Sequence, residues 1–153
     1  MSHITGTFTA EQWRRITAYA SPLEVAVGDI VFAAGDQWYP LILVESGVVD
    51  VLRPANNWLE ETLVATVGEY SFVGELGVLS GQRAFLNARV STAGRMLRLD
   101  SAAFRRVMAE DDELCDLLLH DLWSRRERLS HGPAALTLKI VGPERSREVL
   151  ALR

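Results

Sequence analysis

The sequence predicts a mainly β fold with flanking helices, an antiparallel β-roll or jelly-roll barrel preceded by one helix and followed by two. Three observations carry this. Seven short apolar or alternating segments lie between Leu23 and Leu99; they are separated by glycine, aspartate and asparagine turn signals; and helical spacing of apolar residues is confined to the two ends of the chain. The turn spacings favour an antiparallel roll over a parallel sheet, which would need a helix between successive strands.

The first segment, residues 1–22, reads as helical. Thr9 is a good N-cap with Gln12 three residues on, Trp13, Ile16, Thr17 and Ala20 share one face, and Ser21-Pro22 ends the helix. Residues 23–100 form the roll, with strands expected at Leu23-Val25-Val27, Ile30 to Phe32, Leu41 to Val44, Val48 to Leu52, Thr62 to Val67, Leu86 to Val90 and Met96 to Leu99. The turns fall at Gly28-Asp29, Gly35-Asp36, Ser46-Gly47, Asn56-Asn57 and Ala93-Gly94. Residues 101–130 carry two helices, the first opened by Asp100-Ser101 with Phe104, Val107 and Met108 at helical spacing. On the second, Leu114, Leu117, Leu118, Leu119, Leu122 and Leu129 span an arc of about 200°, wider than the ~100° stripe a single packing partner calls for. That helix is expected to pack twice, once on the roll and once on a second copy or a following domain. Residues 131–153 read as a linker, Ser130-His131-Gly132-Pro133, followed by a strand at Leu136 to Val141 and a helix from Pro143. They suggest the start of a following α/β domain.

Composition sets outer limits. A chain of 153 residues with 48% hydrophobic and 24% charged residues can build a real core. No apolar run reaches the ~18 residues a membrane span needs. The net charge of -4, with its basic residues scattered, leads to the expectation of no direct nucleic-acid partner. An N-terminus without signal-peptide features and a lone Cys115 point to the cytoplasm. His3, His120 and His131 are isolated, so no metal set emerges, and no serine or cysteine has the neighbours of a nucleophile. No catalytic residue is expected in this chain.

The chemistry concentrates between Phe72 and Ser91. Val73-Gly74-Glu75-Leu76-Gly77, then Gln82-Arg83-Ala84-Phe85, places an acid, a base and free backbone amides on one turn, an anion-binding combination. Gly74-Glu75-Leu76-Gly77, a spacer, Arg83-Ala84 and a strand resemble the phosphate-binding cassette of cyclic-nucleotide-binding domains of the catabolite activator type. The glycine-punctuated hairpins Val27 to Asp36 and Leu41 to Val51 are similar to the family's opening hairpins, and the resemblance covers roughly Phe8 to Leu129.

The resemblance implies a cytoplasmic regulatory sensor for a cyclic nucleotide, cAMP or cGMP, or another small phosphorylated ligand. It implies that Glu75 takes the ribose 2'-hydroxyl and Arg83 the cyclic phosphate, with the N–H groups of Leu76 and Gly77 adding a small dipole, and that the helix around Leu114 to Leu129 forms a homodimer. Gln82 stands where the family has proline, the Glu75-to-Arg83 spacing is eight rather than about nine, and Phe85-Leu86 replaces a small residue and a hydroxyl. Two readings follow. Either the site binds nucleotide, or Arg83 turns outward, Phe85 fills the pocket or Glu75 and Arg83 pair with each other, and the fold serves only dimerisation or docking. The tail does not resemble a helix-turn-helix, which disfavours a stand-alone gene regulator. Its resemblance to the joint of bacterial thioredoxin-reductase-like flavoproteins suggests an FAD/NADPH-dependent reductase domain downstream.

Overall fold

The structure, a computed structural model, describes residues 2–75 and 82–130, with side chains to residue 125. Nine strands and three helices occur among them. They are β1 (Ser2–Ile4), α1 (Ala10–Thr17), β2 (Ser21–Leu23), β3 (Ile30–Phe32), β4 (Leu41–Val44), β5 (Val48–Arg53), β6 (Thr62–Val67), β7 (Ser71–Val73), β8 (Asn87–Thr92), β9 (Met96–Leu99), α2 (Ser101–Glu110) and α3 (Asp112–Ser130). The chain divides into two compact units, Met1–Leu122 and Trp123–Arg153. All nine described strands belong to the first; of the second, only the last turns of α3 are described. The expected strand and helix at 136–153 lie outside the described residues.

Two sheets form the roll, one of order β1-β6-β5-β8-β3 and one of order β2-β9-β4-β7. All pairings are antiparallel except β1 with β6. This is the jelly-roll-like fold with flanking helices that the sequence predicts. Strand β4 is Leu-Ile-Leu-Val and all four residues are buried, as a continuous apolar run between β9 and β7 requires when both faces are covered. Strands β5 and β8 alternate more openly, with Val49, Val51, Ala88 and Val90 buried.

Thr9 caps α1 through a full capping box with Gln12, and Trp13 and Ile16 are its buried residues. Asp100 caps α2 by accepting from the Ala103 N–H at 2.8 Å, and Phe104 and Val107 are buried there. On α3 the fully buried residues Leu114, Leu118 and Leu122 form one i, i+4, i+8 stripe, while Leu117 and Leu119 are only partly covered. The stripe buried within this chain is thus narrower than the leucine content implies. The side chain of Leu129 lies outside the described residues.

Three short elements differ from expectation. The strand placed at Leu23-Val25-Val27 is instead β2, Ser21–Leu23, and Val27 is exposed. The pairing of β2 with β9 runs from Ser21 opposite Arg98 to Leu23 opposite Met96, so backbone register with a neighbour sets the strand against local alternation. Strands β1 and β7 were not expected. β1 has no apolar pattern, and its place comes from main-chain pairing with Ala65, Thr66 and Val67. At one corner the β4–β5 and β8–β9 turns nest: a Cβ on Gly47 (φ +93) would lie 2.5 Å from the Thr92 carbonyl oxygen, and one on Gly94 would collide with the Ser46 carbonyl. Arg95 N–H donates to Ser46 Oγ at 2.8 Å across the same corner.

Candidate functional site

The site is built where β7 runs out and β8 begins. Phe72 and Val73 are buried, and Gly74 follows them into a tight contact: a Cβ there would collide with Leu41 Cδ1. The space a side chain would take at Gly74 belongs to the Leu41 side chain, because β4 and β7 are paired neighbours.

Packing Gly74 on β4 fixes where Glu75 emerges. Its carboxylate is partly buried and bridges two successive main-chain donors, Oε1 accepting from Phe85 N–H and Oε2 from Leu86 N–H, both at 3.2 Å. Burial raises the Glu75 pKa, and the two N–H groups counter part of that rise. Each oxygen keeps a lone pair for a further donor.

Arg83 is exposed, and its Nη1 donates to the Gly35 carbonyl at 3.0 Å. That bond is one strand of a seam between residues 83–87 and the turn at 33–36. Ala84 N–H donates to Asp36 O at 2.8 Å, Gly35 N–H to Ala84 O at 2.8 Å, and Ala34 N–H to Asn87 Oδ1 at 2.7 Å. Asp36 closes its own turn by accepting from Ala33 N–H at 2.9 Å. Among the described residues Arg83 has no acidic partner, and Glu75 is held by backbone donors rather than by Arg83.

Alternation then sorts the rest. Ala84 and Leu86 are buried, Gln82 is exposed, and Phe85 is 72% exposed. The Phe85 ring therefore does not plug the interior. Val73, Gly74, Glu75, Arg83, Ala84 and Phe85 come together around one seam, with Gln82 at its edge, while Leu76 and Gly77 lie outside the described residues. The contributions of Gly35, Asp36 and Asn87 were missed. The Gly35-Asp36 pair signalled a turn, but nothing in a linear pattern shows that this turn docks on residues 83–87.

The aromatic residues at the turns separate cleanly. Trp58 is 90% exposed at the β5–β6 tip, and Trp38 is half exposed, with the Arg105 guanidinium carbon 5.7 Å from its ring centroid. Tyr39 is buried against Phe32, ring centroids 4.7 Å apart. Cys115 is partly buried, and burial, with Asp116 and Asp112 nearby, pushes its thiol pKa up, away from reactivity. No helix among the described residues is long and apolar enough to cross a membrane.

Comparison with known proteins gives a consistent result. A family model described as "Cyclic nucleotide-binding domain" matches residues 22–111. The chain is 27% identical over 137 residues to the CRP-like cAMP-activated global transcriptional regulator of Mycobacterium tuberculosis, covering 90% of this chain and 61% of that protein. The crystal structure of Thermus thermophilus catabolite activator protein superposes with a TM-score of 0.70 at 22% identity, over 88% of this chain and 60% of that one. A structure from work on a cyclic-GMP-dependent signalling pathway that regulates bacterial phytopathogenesis superposes with a TM-score of 0.61 at 25% identity, over 82% of this chain and 96% of that one.

The chain thus spans 61% of the length of the curated relatives it matches. These relatives correct the expectation of no direct nucleic-acid partner, since they are transcriptional regulators. A net charge summed over this chain carries no information about the part of such a relative's length beyond the 61% it spans. The thioredoxin-reductase-like fusion finds no support among these relatives, and the segment that suggested it lies outside the described residues.

Proposed function

The chain belongs to the cyclic nucleotide-binding domain family, and on that premise we propose that it is the ligand-sensing module of a CRP-like transcriptional regulator, with a 3',5'-cyclic nucleotide as its signal. The observation that carries the reading is the part-buried acceptor Glu75 held on the seam; Arg83 is exposed, the orientation the docking alternative calls for, so the Arg83→Ala titration below decides whether it reaches the anion. Glu75 is fixed by the Phe85 and Leu86 N–H groups with acceptor capacity to spare, and Arg83 is engaged only by the Gly35 carbonyl among the described residues. A cyclic nucleotide offers matching groups, a sugar hydroxyl that donates and a phosphate that accepts two N–H bonds from a guanidinium. Small Ala84 and outward Phe85 leave the seam unobstructed by aromatic bulk.

In this reading Glu75 orients the sugar and Arg83 holds the anion. The regulator's active state is the one with higher affinity for the nucleotide. The relatives named for cAMP and for a cyclic-GMP pathway support the ligand class. Charge-assisted bonds of the Arg83 kind contribute roughly 1.5–3 kcal/mol.

The test is calorimetric titration of the 153-residue chain with cAMP and with cGMP, beside Arg83→Ala. Saturable heat with one nucleotide, weakened about 10- to 100-fold in Arg83→Ala at an unchanged melting temperature, is expected. No heat and no thermal shift at millimolar nucleotide would leave a docking fold that has lost its ligand.

A further inference from the structure

Among the described residues, the Tyr39 hydroxyl is the buried side-chain polar atom that lacks a hydrogen-bond partner. The residue is only 4% exposed. An orphaned buried hydroxyl costs roughly 1–3 kcal/mol, and a phenylalanine would fill the same space without that cost.

Its position is fixed from two sides. Trp38, in the left-handed region at φ 58, turns its own ring out to half exposure while the next residue, Tyr39, goes in. The Tyr39 ring lies on Phe32, which pairs with Ala88 of β8, two residues beyond the Leu86 whose N–H holds Glu75. On the other side, Leu41, two residues after Tyr39, packs onto Gly74, the residue before Glu75. These flanking contacts bring the segments of Tyr39 and Glu75 to the same part of the roll, close enough for the Glu75 charge to act on the phenol. Burial first, and the Glu75 charge second, raise the phenol pKa, so the hydroxyl stays protonated and available as a donor.

We infer that Tyr39 is a specificity-determining residue whose O–H donates to the same ligand hydroxyl that donates to Glu75. A carboxylate only accepts, and a phenol with no partner is free to donate. A ligand hydroxyl satisfies both, since it donates and accepts at once. A 3',5'-cyclic nucleotide carries one free sugar hydroxyl, at the 2' position. The inference rests on the nucleotide-binding reading above and adds to it a residue that selects ribose over deoxyribose.

The test compares the parent chain with Tyr39→Phe, titrating each with cAMP, cGMP and 2'-deoxy-cAMP, and melting each without ligand. The expected result is a five- to tenfold loss of affinity for the ribonucleotide in Tyr39→Phe, with the deoxy analogue bound equally by both proteins. Ligand-free Tyr39→Phe should melt at the same temperature or higher. Three results overturn the inference while sparing the function: unchanged ribonucleotide affinity in a parent that binds, equal losses for ribo- and deoxynucleotide, or a lower ligand-free melting temperature. A parent that binds neither cAMP nor cGMP overturns the function, and the inference falls with it.

Discussion

Arg15 on α1 and Arg83 before β8 are both surface guanidinium groups, yet their surroundings differ sharply. Arg15 donates to Asp111 through Nε at 3.0 Å, to Glu11 through Nη1 at 3.4 Å and to Glu113 through Nη2. Gln12 adds a bond to Glu113 at 3.2 Å, so the first helix is clipped to the α2–α3 corner by mutually satisfied charges. The bond to Glu113 raises the Arg15 pKa, and the same bond holds Glu113 below the usual carboxylate range. Around Glu75 the polar groups stop short of each other. Among the described residues the acid has only backbone donors, Arg83 has one carbonyl, and the Tyr39 hydroxyl has no partner. Groups that complete one another hold the fold, whereas the incomplete ones around Glu75 are those the proposed nucleotide would satisfy.

The largest expected effects test whether the two regions are separable. Leu41 and Leu114 are both fully buried, the first behind Gly74 and the second at the start of α3. Leu41→Ala and Leu114→Ala should each cost about 2–5 kcal/mol in urea unfolding. At a temperature where both remain folded, only Leu41→Ala should weaken nucleotide binding, and equal weakening would erase the distinction.

A smaller effect comes from opposite pH signs. Glu113 has a depressed pKa, so its contribution to stability is present above the ordinary glutamate value of 4.5 and is lost as pH falls. Glu75 has a raised pKa, so its contribution is present below that value and lost as pH rises through the folded pKa. Melting Glu113→Gln and Glu75→Gln against the parent from acid to neutral pH should move the two difference curves in opposite directions. Curves of the same sign would break the comparison.

The smallest effect is that of Arg15→Ala, a modest drop in melting temperature that salt near 1 M mutes. Its nucleotide affinity should match the parent's. A loss of affinity would join the clip to the site.

Much of this was legible in the sequence, and the limits have physical reasons. The apolar run Leu41–Val44 and the caps Thr9 and Asp100 are local signals, and each stands as read, because strand burial and capping depend on residues within a few positions. β1 and β7, three residues each, are defined by partners far along the chain, which no short window displays. At the site, Glu75, Arg83 and Ala84 were readable as a motif. The Gly35 carbonyl that receives Arg83 was not, since a backbone atom leaves no mark on residue type. Nor was Tyr39, whose want of a partner among the described residues exists only once the chain has folded.

The nested corner of Gly47 and Gly94 decides where the molecule can accept foreign sequence. Each glycine occupies room the other's backbone would otherwise deny it, so a linker spliced into either bend would prise the two open together. The opposite choice is the hairpin at Trp58, where Asn56 Oδ1 alone collects the N–H groups of Trp58 and Leu59 and the indole stands in water. A fluorescent reporter grafted there would leave both sheets undisturbed while still travelling with the roll.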